Sequence, residues 1–166
     1  MKTRPIRVDG DLAYVTLTQG YEAVINASDA PLVAGWNWYA IKDGNTVYAQ
    51  RSRPAGERRI VRMHRVLMGD PDGLLVDHRD GDGLNNIRSN LRLATCQQNV
   101  HNARISKSNT SGFKGVSWRK TNGKWHAQIR LNGRQRNLGY FQTPEAAHDA
   151  YCKASSSLHG EFGRTT

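Results

Sequence analysis

The first 62 residues alternate short apolar runs with polar turns. Four of these runs have the composition of β-strands: Ala13–Leu17, Glu22–Ile25, Trp36–Ala40 and Thr46–Ala49. Turn sequences such as Asp9-Gly10 and Asp43-Gly44-Asn45 separate them. The pattern predicts a small antiparallel β lobe, with its tryptophan and tyrosine side chains in the core.

The next segment predicts a strand, a polar loop, a second strand and a helix. Leu74–Val76 is a short apolar run that continues into Asp77-His78, and the Asp-Gly-Asp-Gly sequence that follows predicts a turn. The second strand, Leu91–Ala94, alternates apolar and polar side chains. Thr95 is a suitable N-cap for the helix, with Gln98 three residues later.

The last third of the chain predicts a separate module. Residues 105–112 are polar and predict a flexible linker. Three strands joined by Asn-Gly turns follow: Phe113–Arg119, Lys124–Leu131 and Arg136–Phe141. The middle strand is apolar on one face and polar and basic on the other. A helix with Thr143 as N-cap and Pro144 as first residue carries an apolar stripe that would cover the apolar face.

The net charge of the chain favours one class of binding partner. Lys and Arg number 24 against 14 Asp and Glu, which gives a formal net charge of +10. This balance favours a polyanion, because binding releases the counterions around it. Arginines between residues 51 and 65 add a basic stretch suited to phosphates. The two cysteines form no CxxC pair and predict neither a disulfide framework nor a zinc ribbon. No apolar run predicts a signal peptide or a membrane span.

Asp77 and His78 open a segment that contains the groups needed to cut a phosphodiester. That reaction needs a hard divalent cation to stabilise charge and a neutral imidazole to deprotonate water. Carboxylate and amide oxygens suit Mg²⁺ or Mn²⁺. Asp77 and Asn99 are therefore candidate metal ligands, and His78 is the candidate base. A calcium loop over Asp80-Gly81-Asp82-Gly83-Leu84-Asn85 is an alternative, although the EF-hand spacing and its terminal glutamate are missing.

These residues resemble the ββα-metal nucleases of the HNH family, particularly the phage and intron-encoded homing endonucleases. The resemblance rests on Met63-His64-Arg65, Val76-Asp77-His78, Gly81-Asp82, Asn85-Asn86, Ser89-Asn90-Leu91 and Gln98-Asn99. It implies that Asp77 and Asn99 bind the metal, that His78 is the general base and that Asn90 braces the loop. The last residue of the His-Asn-His motif that gives the family its name is Asn99 here rather than a histidine, as it is in part of the homing branch. His64 is expected to be a packed histidine beside the site, and His101 an exposed one.

The final module resembles the AP2 DNA-binding domain, in which a three-stranded sheet enters the major groove and a helix lies behind it. The resemblance rests on Lys114-Gly115-Val116, Lys124–Arg130, Leu138–Phe141, Glu145–Tyr151 and His159–Phe162. It implies a DNA-facing set comprising Lys114, Ser117, Arg119, Gln128, Arg130, Gln135 and Asn137. Several of these differ from the plant pattern, for example Ser117 and Gln135 in place of arginine, so the plant target sequence does not transfer.

We therefore expect an α+β protein: a small antiparallel β lobe leading into a ββα-metal HNH core, then a three-stranded antiparallel sheet packed on one helix. The expected domains are the β lobe at 1–62, the nuclease core at 63–104, the linker at 105–112 and the AP2-like domain at 113–166.

The expected function is metal-dependent hydrolysis of double-stranded DNA, one strand at a time at preferred sites. We expect a monomer in the cytoplasm of a phage-infected bacterium, with Mg²⁺ or Mn²⁺, no small-molecule cofactor and no membrane. One alternative is a non-cleaving DNA-binding regulator with a structural HNH remnant. Another, suggested by charge alone, is an RNA-binding or ribosome-associated protein.

Overall fold

The computed structural model describes residues 3–52, 60–106 and 108–165. Contacts between residues divide the chain into two compact units, Met1–Thr95 and Cys96–Thr166. The first unit combines small antiparallel sheets with short helices. The second combines one antiparallel sheet with a short and a longer helix, so the expected α+β class is confirmed. The predicted domain limits stay predictions. Among the described residues, no helix has the length and apolarity needed to cross a membrane.

The described part of the first unit contains three small antiparallel sheets. Its strands are β1 (Ile6–Asp9), β2 (Leu12–Thr16), β3 (Glu22–Asn26), β4 (Tyr39–Asp43), β5 (Thr46–Ser52), β6 (Ile60–Arg62), β7 (Leu75–His78) and β8 (Leu91–Ala94). The sheets have the orders β1-β2-β3, β4-β5-β6 and β7-β8. Two short helices, α1 (Ala30–Val33) and α2 (Met63–Leu67), follow the third and sixth strands in the sequence.

Alternating side chains build the core of this unit. Val15 of β2 and Ile25 of β3 are buried in one hydrophobic cluster that includes Trp38. Trp38 is 1% exposed, and its indole N–H donates to the Val33 carbonyl oxygen at 2.9 Å. Because this tryptophan fills the core from a loop, the strand predicted over residues 36–40 begins later, at Tyr39. The other three strands predicted in this region are present.

The second unit begins with a short helix and continues with a sheet covered by a long one. Its elements are α3 (Cys96–Asn102), β9 (Val116–Arg119), β10 (Lys124–Leu131), β11 (Arg134–Phe141) and α4 (Pro144–His159), and the sheet order is β11-β10-β9. Val116, Ala127 and Ala147 form the buried centre between sheet and helix. Thr143 Oγ1 accepts a hydrogen bond from the Ala146 N–H at 3.2 Å, so the predicted N-cap is confirmed. Membership of the AP2 family stays a prediction.

Part of the predicted linker is held by its own polar side chains. The Asn109 side-chain amide donates to the Phe113 carbonyl oxygen at 2.9 Å, and the Gly112 N–H donates to Asn109 Oδ1 at 2.8 Å. Ser111 Oγ lies 2.9 Å from the Val116 carbonyl oxygen. Asn and Ser form such local turns because their short side chains reach nearby backbone groups. This segment is therefore tied to the start of β9, while Lys107 lies outside the described residues.

Candidate active site

The strand β7 ends with two predicted site residues, Asp77 and His78. The antiparallel register with β8 places Asp77 opposite Arg92 and His78 opposite Leu91. Asp77 Oδ2 accepts a hydrogen bond from Arg92 Nε at 2.8 Å, and both side chains are 6% exposed. Removing one member of a buried ion pair is strongly destabilising, so each of these two side chains helps to keep the other in the interior.

His78 lies among polar and aromatic side chains. Its Nε2 is 3.0 Å from Asn86 Oδ1. The His64 ring meets it edge-on with 5.0 Å between ring centroids, and the Tyr48 centroid is 5.8 Å away. Burial lowers the pKa of His78 below 6.5, although the hydrogen bond to Asn86 and nearby carboxylates oppose that shift. The imidazole is therefore neutral near pH 7, which is the form that a general base requires.

His64 has the packed position that the sequence predicted. It is 5% exposed, and burial lowers its pKa to about 3, with His78, Arg62 and Arg65 acting in the same direction. A histidine with this pKa carries no charge near pH 7. His64 therefore contacts His78 as a neutral aromatic ring.

Asp80 and Asn90 hold the loop between β7 and β8. Asp80 Oδ1 accepts from the Asp82 N–H at 2.8 Å and from Asn90 Nδ2 at 3.0 Å, while Oδ2 accepts from Asn85 Nδ2 at 2.7 Å. Asn90 also accepts from the Asp80 N–H and donates to the Asn85 carbonyl oxygen. Burial acts to raise the pKa of Asp80, but these hydrogen bonds lower it. Asn90 thus braces the loop through both backbone and side-chain groups.

Gly83 brings this loop against the strand β5. An added Cβ would lie 2.5 Å from the Val47 carbonyl oxygen and 2.6 Å from the Tyr48 ring. The Gly83 N–H donates to Thr46 Oγ1 at 2.9 Å. Glycine is required here because any side chain would displace Tyr48, whose ring also lies beside His78.

Two alternative metal sites can be compared at the level of their donor atoms. A calcium loop is not favoured, because both Asp80 carboxylate oxygens already accept hydrogen bonds within the loop. Across residues 3–52, 60–106 and 108–165, no cluster of three or more His, Cys, Asp or Glu is placed to hold a metal. The predicted metal site consists of one carboxylate and one amide, so it is not a cluster of that kind. Asp77 belongs to the first unit, and half-buried Asn99 lies in α3 of the second. Its carboxylate and amide oxygens are hard donors that suit Mg²⁺ or Mn²⁺.

Six of the seven predicted DNA-facing residues share the polar face of the second unit's sheet. The cross-strand pairs Gln128–Asn137 and Arg130–Gln135 alternate with apolar positions along β10, and β9 adds two residues to the same face. The six are Ser117, Arg119, Gln128, Arg130, Gln135 and Asn137. Both arginines are exposed, so this face presents positive charge to solvent.

His126 connects residues across this polar face. Its Nδ1 accepts a hydrogen bond from Arg119 Nε at 3.3 Å, and its Nε2 lies 3.0 Å from Asn137 Oδ1. The ring stacks on Tyr140 with 4.8 Å between centroids. Arg119 and Asn137 therefore both contact a buried histidine that lies between them.

Lys114, the seventh residue, is placed differently. Its ammonium donates to the carbonyl oxygens of His101 and Ala103 at 2.7 and 2.6 Å. Burial, with Arg164 nearby, lowers the pKa of Lys114 to about 8. The expectation that His101 is exposed is wrong, because its ring is half-buried and stacks on His159 with 3.6 Å between centroids. The pattern within α3 alone gave no sign of this partner.

The basic stretch between residues 51 and 65 is partly used within the fold. Arg62 Nη2 lies 2.6 Å from Asp43 Oδ2, and Arg65 Nε lies 2.6 Å from Asp70 Oδ1. These two arginines therefore have carboxylate partners in the chain itself. Three further members of the predicted stretch lie outside the described residues: Arg53, Arg58 and Arg59.

Known proteins match the segment that forms this site. The family described as HNH endonuclease matches residues 69–101, which run from before β7 into α3. A protein of Acanthamoeba polyphaga mimivirus named "Uncharacterized HNH endonuclease L560" is 34% identical over 157 residues, covering 91% of this chain and 79% of the relative. The chain belongs to the HNH endonuclease family. It is therefore a nuclease.

Two phage proteins are also similar to this HNH endonuclease. "Protein 3.8" of Escherichia phage T7 is 39% identical over 94 residues, covering 57% of this chain and 77% of the relative. "DNA endonuclease I-HmuI" of Bacillus phage SP01 is 32% identical over 98 residues, covering 51% of this chain and 53% of the relative. The last match thus spans about half of each protein. No solved structure matches the chain.

The segment that matches HNH endonucleases contains all four residues predicted to act in catalysis or metal binding: Asp77, His78, Asn90 and Asn99. Sequence reasoning missed Tyr48, Asn86 and Arg92. Of these three, only the position of Arg92 could have been predicted from the sequence, because an antiparallel pairing of the two predicted strands can place it opposite Asp77. The contacts of the other two depend on how distant segments pack.

Proposed function

We propose that this HNH endonuclease hydrolyses phosphodiester bonds in double-stranded DNA, with His78 as the general base. The observation that supports it best is a buried, neutral imidazole beside the Asp77 carboxylate, within the segment that matches the family. A neutral imidazole takes the proton from the water that attacks the phosphate. A net charge of +10 favours a polyanionic substrate, and one similar protein is named a DNA endonuclease.

Asp77 and Asn99 are the proposed ligands of Mg²⁺ or Mn²⁺. When bound, such a cation stabilises negative charge on the scissile phosphate and the leaving oxygen. Arg92 already donates to one oxygen of Asp77 at 2.8 Å, so the carboxylate has a positive partner before any metal binds. Competition between that guanidinium and the metal would weaken metal binding, which makes millimolar rather than trace metal the appropriate test condition.

Asn90 acts on the proposed reaction through the loop. Its side chain joins Asp80 to the Asn85 carbonyl oxygen, and its own carbonyl oxygen accepts from the Arg79 N–H at 2.9 Å. These contacts fix the chain that immediately follows His78. The proposed role of Asn90 is therefore to keep the loop in the geometry that the site needs.

The second unit is proposed to bind duplex DNA through its polar sheet face. Exposed Arg119 and Arg130 would contact phosphates or guanine, and Gln128 would contact adenine or phosphate. The remaining members of the proposed set are Ser117, Gln135, Asn137 and Lys114. Lys114 could contact DNA only by giving up its two carbonyl partners, so we expect the smallest contribution from it.

A chain with a single His78 is proposed to cut one strand in each binding event, leaving a 5′-phosphate and a 3′-hydroxyl. The test is incubation of supercoiled plasmid and of phage genomic DNA with millimolar Mg²⁺ or Mn²⁺, and with EDTA. Nicked circles that disappear with EDTA, with Asp77→Asn and with His78→Ala would support the proposal. Asp72→Asn is the matched control, because that aspartate is exposed in the loop before β7.

Two results would contradict parts of this proposal. Linear plasmid formed without a nicked intermediate would show paired cuts and would overturn strand nicking. Intact DNA on every substrate, together with clear duplex binding, would overturn hydrolysis and support the non-cleaving regulator.

A further inference from the structure

Asn86 is a fully buried amide that touches the proposed base directly. Its exposed fraction is 0%, and its Oδ1 lies 3.0 Å from His78 Nε2. The matched segment also contains Asn85 and Asn90, but neither has a described hydrogen bond to the His78 ring. Asn86 therefore differs from the other loop asparagines in what its side chain can do.

The backbone around Asn86 is fixed to a neighbouring strand. The Asn86 N–H donates to the Val24 carbonyl oxygen at 2.7 Å, and the Val24 N–H donates to the Leu84 carbonyl oxygen at 2.9 Å. Val24 lies in the middle of β3, which belongs to the first sheet. The amide therefore projects from a backbone position that the core of the unit holds in place.

The orientation of the Asn86 amide follows from its other contacts. Its Nδ2 lies 3.2 Å from the Leu84 carbonyl oxygen and 3.4 Å from the Gly83 carbonyl oxygen. Carbonyl oxygens only accept hydrogen bonds, so they select the NH₂ end of the amide. The opposite end, Oδ1, faces His78 and is an acceptor only. The hydrogen atom between the two side chains must then belong to His78 Nε2.

Aromatic neighbours limit any rearrangement of the imidazole. The His64 ring lies edge-on at 5.0 Å and the Tyr48 ring lies at 5.8 Å, both measured between centroids. Gly83 keeps the loop against Tyr48, as the close approach of an added Cβ shows. A 180° flip of the ring, which would put Cε1 in the place of Nε2, would have to displace these packed groups. The contact with Asn86 is therefore a stable feature of the site.

We propose that Asn86 is a positioning residue that holds His78 in the tautomer protonated at Nε2, so that Nδ1 carries the lone pair that takes the proton from water. The transfer of a proton from water to Nδ1 rests on the proposed nuclease function, whereas the tautomer itself does not. In each cycle, Nδ1 gains the proton, the ring becomes an imidazolium with both nitrogens protonated, and Asn86 Oδ1 keeps its hydrogen bond to Nε2. The proton at Nδ1 then leaves to solvent, which restores the starting tautomer.

The direct test is nitrogen NMR of protein labelled with ¹⁵N-histidine, at about pH 8, where an imidazole with an ordinary pKa of about 6.5 is neutral. The six histidines are distinguished by recording His78→Ala alongside the wild type. We expect the His78 signals of a protonated Nε2 and a bare Nδ1. Signals of the opposite tautomer in the wild-type protein would overturn the proposal without any variant.

Three substitutions separate positioning from a general loss of structure. Asn86→Leu removes the acceptor and should produce a mixture of tautomers, whereas Asn86→Asp keeps an acceptor oxygen and should retain protonated Nε2. Asn45→Leu is the matched control, since it makes the same substitution at an exposed turn residue and should leave the tautomer unchanged. An unchanged tautomer in folded Asn86→Leu would overturn the assignment.

Cleavage measurements complete the test. Single-turnover cleavage by Asn86→Leu should fall about ten- to hundredfold, as is typical when a residue that orients a catalytic group is lost. Its affinity for duplex DNA should stay the same, because Asn86 is buried. An equal cleavage rate for Asn86→Leu and the wild type would overturn the positioning role. A wild-type protein with protonated Nε2 that cuts no DNA would contradict the proposed function but support the tautomer.

Discussion

The two units of this HNH endonuclease differ in how far their functional polar side chains are buried. In the first unit, the groups around His78 are buried: His64, Asp77, Asn86 and Arg92 are each at most 6% exposed. In the second unit, the arginines of the polar sheet face are exposed to solvent. Burial restricts the geometry of these groups and lowers the pKa of His64 and His78, which suits chemistry. Exposed cations bind a polyanion reversibly and with strong dependence on salt.

This contrast teaches that charge alone does not locate the reaction. Most of the net charge of +10 can serve the proposed DNA binding, while the groups packed around His78 are paired or neutral. Variants in the two units should therefore fail in different ways.

Loss of the proposed base should have the largest effect. His78→Ala should reduce the cleavage rate by about 10²- to 10⁴-fold, because a general base typically accelerates a reaction by that factor. Its duplex affinity should stay within twofold of wild type, since His78 is 4% exposed. The measurement is single-turnover cleavage combined with equilibrium binding. A parallel loss of affinity would remove the distinction between the two units.

Breaking the buried ion pair should mainly affect stability. Arg92→Met removes the buried guanidinium that donates to Asp77 and should lower the free energy of unfolding by about 3–5 kcal/mol. The double variant Asp77→Asn/Arg92→Met should recover part of that loss. Arg7→Met is the control, because its carboxylate partners Asp9 and Glu22 are exposed and such pairs each contribute at most about 1 kcal/mol. Equal losses in the two arginine variants, measured by urea unfolding, would show that burial of the pair is unimportant.

Acid should destabilise the first unit through His64. Its pKa is about 3 in the folded protein, against about 6.5 when unfolded. The unfolded chain therefore binds the proton first as pH falls, so His64 reduces the free energy of unfolding from about pH 6.5 down to about pH 3. The contribution approaches about 1.4 kcal/mol per pH unit. His64→Phe should show a shallower decline in urea unfolding between these pH values, and identical slopes would contradict a buried neutral His64.

Removing one exposed arginine should weaken binding moderately. Arg130→Ala should reduce duplex affinity by about 1–3 kcal/mol if it reads a base, and should lower the slope of binding against salt by about one. Lys153→Ala is the matched control, because it removes the same charge from an exposed position on α4, which covers the apolar face of the sheet. Equal effects of both variants would show that binding depends on net charge rather than on the polar face.

The helix cap of the second unit should give the smallest effect. Thr143→Ala removes the acceptor for the Ala146 N–H and should cost about 1 kcal/mol of stability. Thr143→Ser keeps a hydroxyl at the cap and should be close to wild type. Both are measured by thermal unfolding. A loss in neither variant would mean that α4 is held by its packing on the sheet alone.

The sequence predicted elements best where local pattern decides the structure. Leu91–Ala94 and Lys124–Leu131 were predicted with the observed bounds, because their side chains alternate and their turns are distinct. The cap at Thr143 was also confirmed, since a capping hydrogen bond spans only three residues. Such features need no information about the rest of the fold.

The missed elements depend on contacts with distant parts of the chain. β1 and β6 are short edge strands with mixed composition, and each becomes a strand by pairing with a stronger neighbour. Among site residues, Asp77 and His78 stood out by their chemistry. Asn86 looked like any asparagine of its loop until the packing placed its oxygen against His78.

The most direct test of the central claim measures cleavage rate and duplex affinity together for His78→Ala and Arg130→Ala. The division of roles predicts that His78→Ala keeps wild-type affinity and salt slope but loses cleavage. It predicts that Arg130→Ala binds more weakly and with a lower salt slope, yet cuts at a near wild-type rate once the DNA is saturated. Loss of both properties to the same extent in both variants, with both proteins folded, would contradict the assignment of chemistry to one unit and DNA binding to the other.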